Sequence, residues 1–154
     1  MGAYAEKAVQ LFQEGYNCSQ SVFGAFAERY GIDRDTAMRL AASFGAGMGR
    51  LREVCGTVSA MCLIAGLESG STDGADQGQK AANYIEVQEL AAQFKEKYHT
   101  IFCADLLHLD KTKKESTNPV PEARTQDYYK KRPCPDIIRY AAELIEERYC
   151  AEET

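Results

Sequence analysis

No Cys-x-x-Cys pair occurs anywhere in this 154-residue chain, although it holds six cysteines. Zinc ribbons and thioredoxin-like sites are usually built around such a close pair, so neither is the natural reading. Positive charge is also short: 18 lysines and arginines stand against 23 acidic residues, for a net charge of −5. That balance argues against a general affinity for nucleic acid, which needs a basic face to displace phosphate counterions. Long apolar runs are missing too. The longest mainly apolar stretch, Val58 to Leu67, falls well below the roughly 18 residues of a membrane span. The start, Met1 to Lys7, has no basic segment followed by an apolar run, so no signal peptide is expected. The expected location is therefore the cytoplasm, where thiols stay reduced. There, cysteines are more often metal ligands, redox groups or core residues than structural disulfides.

Internal repeats and strand-like alternation are likewise absent, and what is present reads as helix. Ala3 to Glu14 predicts a helix with Ala8, Leu11 and Phe12 on one face, ended by Gly15. Asn17 caps a second, Cys18 to Arg29, with Val22, Phe23 and Phe26 apolar and Gly31 as its stop. Asp33 caps a third, in which Ala37, Leu40, Ala41 and Phe44 recur at helical spacing. Gly45 to Arg50, with glycine at 45, 47 and 49, makes a poor helix and reads as a tight turn. Cys55 to Leu67 is almost wholly apolar and predicts a buried central helix. After the linker Ser69 to Gly74, Ala75 to Tyr98 predicts a long amphipathic helix with Ala81, Ile85, Leu90 and Phe94 inward. Cys103 to Leu109 predicts a short helix.

Asp110 to Arg132 differs in composition. It holds seven basic residues against four acidic ones, together with Pro119 and Pro121, and reads as a long surface loop. Pro133 to Asp136 then opens a last helix to about Tyr149, with Ile137, Ile138, Ala141, Leu144 and Ile145 inward. The expected fold is all-α: a single-domain bundle of about six or seven helices over residues 1–154, with the 110–132 loop before the last.

Four of the cysteines share one setting. Cys18, Cys55, Cys103 and Cys134 each fall at a predicted helix N-terminus, where free N–H groups and the helix dipole favour a negative sulfur. One helix end supplies about 0.3–1 kcal/mol, too little to ionise a thiol of ordinary pKa near 8.5. Two thiolates at roughly 4 Å repel by about 4 kcal/mol at an effective dielectric of about 20. Four converging sulfurs must therefore surround a cation, stay largely protonated, or pair as disulfides. A metal or an iron–sulfur cluster resolves the conflict by displacing the thiol protons. Cys62, two turns beyond Cys55, reads as a core residue, and Cys150 near the C-terminus is assigned no role.

Several stretches together resemble a known family. They are Asn17-Cys18-Ser19-Gln20-Ser21-Val22, then Phe44 to Arg50 leading into Val54-Cys55-Gly56-Thr57-Val58-Ser59-Ala60, then Cys103-Ala104-Asp105-Leu106-Leu107, and Pro133-Cys134-Pro135. The order is similar to that of the C_GCAxxG_C_C family of redox-active proteins, over about Ala5 to Glu147. The resemblance implies a helical domain with four family cysteines, falling on Cys18, Cys55, Cys103 and Cys134, and a redox role. Similar domains occur in split-Soret cytochromes, where an iron–sulfur centre accompanies the cysteine-bearing part, which favours iron–sulfur over zinc. The chain departs from the pattern at Val54, Gly56 and Ser59. Gly56 and Ser59 are small enough for close packing, whereas Val54 questions the local backbone. The 110–132 loop reads as a tolerated insertion, with a binding surface as the alternative.

Other features carry less. The glycine turn lacks the lysine and preceding strand of a phosphate loop. Its structural role is to bring Cys55 toward the other cysteines. Gly45, Gly47, Gly49 and Gly56 are nonetheless candidate cofactor-binding positions, since their N–H groups can donate to sulfur. His99 and His108 read as structural or solvated, and Tyr128 to Arg132 as a solvated loop rather than an anionic-partner site. No nucleophile–base set or carboxylate pair stands out. The expectation is a redox or electron-transfer protein, an oxidoreductase component at most, holding an iron–sulfur cluster through the four cysteines and served by a redox partner protein. The alternatives are a metal-free thiol–disulfide protein and a structural or binding module with zinc.

Overall fold

The computed structural model describes residues 2–153. Six helices of nine residues or more form the frame: α1 (Ala3–Gln13), α2 (Cys18–Phe26), α3 (Arg34–Ala42), α5 (Gly56–Ser69), α6 (Gln77–Tyr98) and α10 (Cys134–Tyr149). Single turns lie between them: α4 (Gly45–Met48), α7 (Cys103–Leu106), α8 (Lys114–Thr117) and the slightly longer α9 (Gln126–Lys131). The fold is all-α. Among the described residues the only β pairing outside helices is an isolated bridge between Val54 and Phe102.

Local chemistry sets the helix ends. Asn17 and Gln20 form a reciprocal capping box at α2, and the side chains of Asp33 and Asp76 accept the N–H of Thr36 and Gln79. Gly15 and Gly31 take positive φ where α1 and the 3₁₀ turn after α2 stop. Helix α1 has no side-chain cap of its own. Glu146, 1% exposed on α10, reaches across instead and accepts the N–H groups of Gly2 and Ala5.

Helix α2 lies among α1, α3 and α5, and α10 packs across α1, α2 and α5. Phe12, Phe23, Phe26, Met61, Ile64 and Ile138 fill the space between them. Burying each such side chain contributes about 1.5–3 kcal/mol. The expected inward set of α10 is buried throughout.

Four expectations fail. On α6, Leu90 and Phe94 are buried but Ala81 and Ile85 are exposed. The N-terminal half of that helix meets α5 through polar groups: Gln79 donates to Ser69 O, and Asn83 to Ala65 O. These bonds satisfy carbonyls at the end of α5, so apolar residues there have nothing to cover. Leu40 is 51% exposed, because α3 buries only Ala37, Met38 and Ala41. Helix α5 is not buried all round: Leu67 is exposed and Cys62 half-buried. The 110–132 segment is not a free loop, since it contains α8 and α9 and lies over the cysteines. No helix among the described residues is long and apolar enough to cross a membrane.

Candidate redox site

The four expected cysteines occupy helix starts. Cys18, Cys103 and Cys134 are the first residues of α2, α7 and α10, and Cys55 is the N-cap of α5. Glycine lets these starts approach one another. A Cβ on Gly56 would lie 3.0 Å from both Phe44 O and Ser19 N. One on Gly47 would lie 2.6 Å from Arg52 Cα and 2.7 Å from Cys103 Cβ. Asn17, besides capping α2, donates from Nδ2 to Ala42 O, and a Cβ on Gly45 would collide with its side chain.

The turn itself is left-handed. Ala46 (φ 54°, ψ 42°), Gly47 (72°, 44°) and Gly49 (55°, 35°) all sit in that region, and Met48, Arg50 and Arg52 also have positive φ. Each non-glycine residue there costs roughly 1–2 kcal/mol. Hydrogen bonds from Gly49 N to Ser43 O and from Glu53 N to Gly47 O, both 2.8 Å, hold the conformation. The chain then runs antiparallel to 101–104. Cys55 N donates to Ile101 O and Cys103 N to Glu53 O, each at 2.7 Å. Val54 sits in this bridge. A β-branched residue suits the extended backbone of such a bridge.

All four sulfur-bearing residues line one cavity of about 260 Å³, together with Gly45, Gly47, Gly49 and Gly56. No disulfide links them. Burial pushes the Cys55 thiol up to about 11, against a 3.1 Å hydrogen bond with Thr57 Oγ1. Burial also raises Cys103, while Arg52, donating from Nη1 to its Sγ at 3.6 Å, pulls it down. Cys18 and Cys134 lie close enough that each acts on the other's thiol. Cys18 is driven well above the ordinary thiol value by its bond to Cys134, and Cys134 is held below it by that bond, with Arg132 and Arg124 assisting.

The rest of the lining was not legible as a site. Arg50, Arg52, Arg124 and Arg132 surround the cavity with Glu122 as the one carboxylate. Arg52 is 3% exposed and donates from Nε to Ser116 O. Arg124 donates to Phe12 O and Tyr16 O, which ties the 110–132 segment down as a strap. Tyr128 lines the cavity and the Tyr129 hydroxyl donates to Gln13 O, so neither is solvated as expected; Lys130 and Lys131 are exposed. The only advance signal was the density of basic residues in the strap.

Cys62, His99, His108 and Cys150 do not line the cavity. Cys62 is half-buried rather than core, and Cys150 is 2% exposed at the end of α10. His99 and His108 are exposed and have left-handed backbone. Among the described residues no three histidine, cysteine, aspartate or glutamate side chains are grouped to hold a metal ion.

Comparison with protein families finds one model, described as "Putative redox-active protein (C_GCAxxG_C_C)", that matches residues 16–148. The chain belongs to this C_GCAxxG_C_C family. The matched span takes in all four cavity cysteines and the strap. No curated protein and no solved structure matches the chain.

Proposed function

We propose that this member of the C_GCAxxG_C_C family is an electron-transfer protein whose Cys18, Cys55, Cys103 and Cys134 hold an iron–sulfur cluster. One observation carries the reading: cysteines from four separate helix starts line a single cavity. The room in the cavity suits a cluster, while four cysteines are donors that either a cluster or zinc accepts. A cluster places metal and sulfide between its ligands and accepts a wider set. When bound, it supplies one-electron transfer at a potential set by burial and by hydrogen bonds to sulfur. The chain's own part is to orient and screen. Arg52 donates to the Cys103 sulfur, Thr57 meets the Cys55 sulfur, and the strap covers the cavity.

Anaerobic purification with iron and sulfide analysis tests this. Brown protein with near-stoichiometric iron and sulfide is expected, with both falling sharply in Cys55→Ser. Colourless, iron-free protein that cannot be reconstituted would overturn it.

A second reading rests on the Cys18–Cys134 contact, a thiol beside a sulfur that favours its thiolate form. Oxidation of that pair would form one S–S bond and release two protons and two electrons to an external oxidant. Thiol counts differing by two between reduced and oxidised metal-free protein, and not in Cys134→Ser, would select it.

A further inference from the structure

Positive charge accumulates on one side of the cysteine cavity. Arg50, Arg52, Arg124 and Arg132 line it, and Glu122 is the only acidic residue among the lining. Two of these arginines lie within ion-pair reach of that carboxylate, and a third, Arg50, acts on it from farther away. Glu122 pairs with Arg132 in a close ion pair, lies 4.0 Å from Arg52 Nη2, and acts electrostatically on Arg50. The Glu122 side chain is 44% exposed, whereas those of Arg132 and Arg52 are 15% and 3% exposed. The carboxylate therefore sits at the rim, with the guanidinium groups below it.

Two of the other arginines already have work. Arg52 serves the Cys103 sulfur and Ser116 O, and Arg124 the two carbonyls of the α1 end. Arg50 is different. Its strongest charged neighbours are Arg52, Glu122 and Arg132, and no cysteine is among them. Burial and the two like charges pull its guanidinium down. Its Nε donates to Asn118 O, and among the described residues neither Nη has a hydrogen-bond partner. Arg132 uses one Nη on Glu122 and likewise has donors to spare. Guanidinium forks with open donors, mutually repelling in a half-buried recess, are the usual means of holding planar or tetrahedral anionic oxygens.

We propose that Arg50 and Arg132 form a receptor for a small oxyanion at the rim of the cysteine cavity, and that Glu122 on the strap occupies it as an internal competitor. The incoming anion takes the place of the Glu122 carboxylate on Arg132, at the cavity rim that Arg50 also lines. The side chain, already largely solvated, swings outward. This places an anionic ligand beside the proposed redox centre, which adds to that reading without requiring iron to be present.

Isothermal titration calorimetry on the reduced 154-residue chain at low ionic strength provides the test, with sodium sulfate and sodium acetate as separate probes. Saturable binding of at least one is expected. Glu122→Gln should tighten it by about threefold or more, because the competitor loses its charge. Arg50→Gln should weaken it by about tenfold, and Arg50→Lys by less, since charge is kept but the fork is lost. Absence of saturable binding in both wild type and Glu122→Gln would overturn the proposal. So would undiminished affinity in Arg50→Gln, or in Arg50→Lys if the glutamine variant fails to fold. Iron and sulfide are assayed in the same samples. Anion binding to protein that cannot take up iron sinks only the cluster reading, and cluster-bearing protein without anion binding sinks only the receptor.

Discussion

Tyr98 packs its ring against Phe94 and Tyr140, yet among the described residues its buried hydroxyl has no hydrogen-bond partner. A buried unsatisfied hydroxyl opposes folding. Burial, then the nearby Asp136 carboxylate, pushes this phenol up to about 12. The fold thus prefers the neutral form. That preference is fully present below the ordinary tyrosine value near 10 and is lost as pH rises toward 12. Tyr98→Phe keeps the ring contacts and removes the hydroxyl. Urea unfolding at pH 7 should show stability unchanged or up to about 1 kcal/mol higher. Between pH 10 and 12 the variant should lose less stability than wild type. A clear destabilisation at pH 7 would mean that the hydroxyl has a partner.

Within the elements, the left-handed turn 46–50 is the piece on which the site's geometry turns. Gly47 combines φ 72° with a Cβ position already filled by Arg52 backbone and Cys103. Gly47→Ala should therefore cost about 2–4 kcal/mol in urea unfolding, from backbone strain and overpacking together. It should also displace Cys103, read as faster alkylation of that thiol. Gly31→Ala supplies the control. It has similar φ, 71°, but open space around the Cβ, so about 1 kcal/mol is expected with no change at the cysteines. Equal effects of the two substitutions would show that close approach at Gly47 does not matter. Of this turn, the three glycines announced a break in helix. The positive φ of Ala46, Met48, Arg50 and Arg52 was hidden, because no local propensity favours it.

For the whole molecule, the strap decides how far the cavity opens to solvent. Arg124 holds it by two carbonyl bonds of 2.9 and 3.0 Å and by lying 4.3 Å over the Phe12 ring. Arg124→Ala should lose about 1–3 kcal/mol of this attachment. Limited proteolysis within 110–132 should then quicken, and Cys18 and Cys134 should alkylate faster. Unchanged rates for both would place the strap's hold elsewhere, in the Arg132–Glu122 pair or in Arg52 to Ser116 O.

Helical period, caps and stop residues are local, so the sequence alone determined the six main helices and put Cys18, Cys55, Cys103 and Cys134 at or beside helix starts. Local pattern also placed the buried face of α10 correctly. It could not say which half of α6 meets a neighbour, because burial depends on what lies opposite. That four arginines line the cysteine cavity was likewise settled only in three dimensions. Two of them, Arg124 and Arg132, lie some 70 residues or more beyond Arg50 and Arg52. A charge's neighbours across such a distance in chain are fixed by how the helices pack, and no spacing rule carries that information.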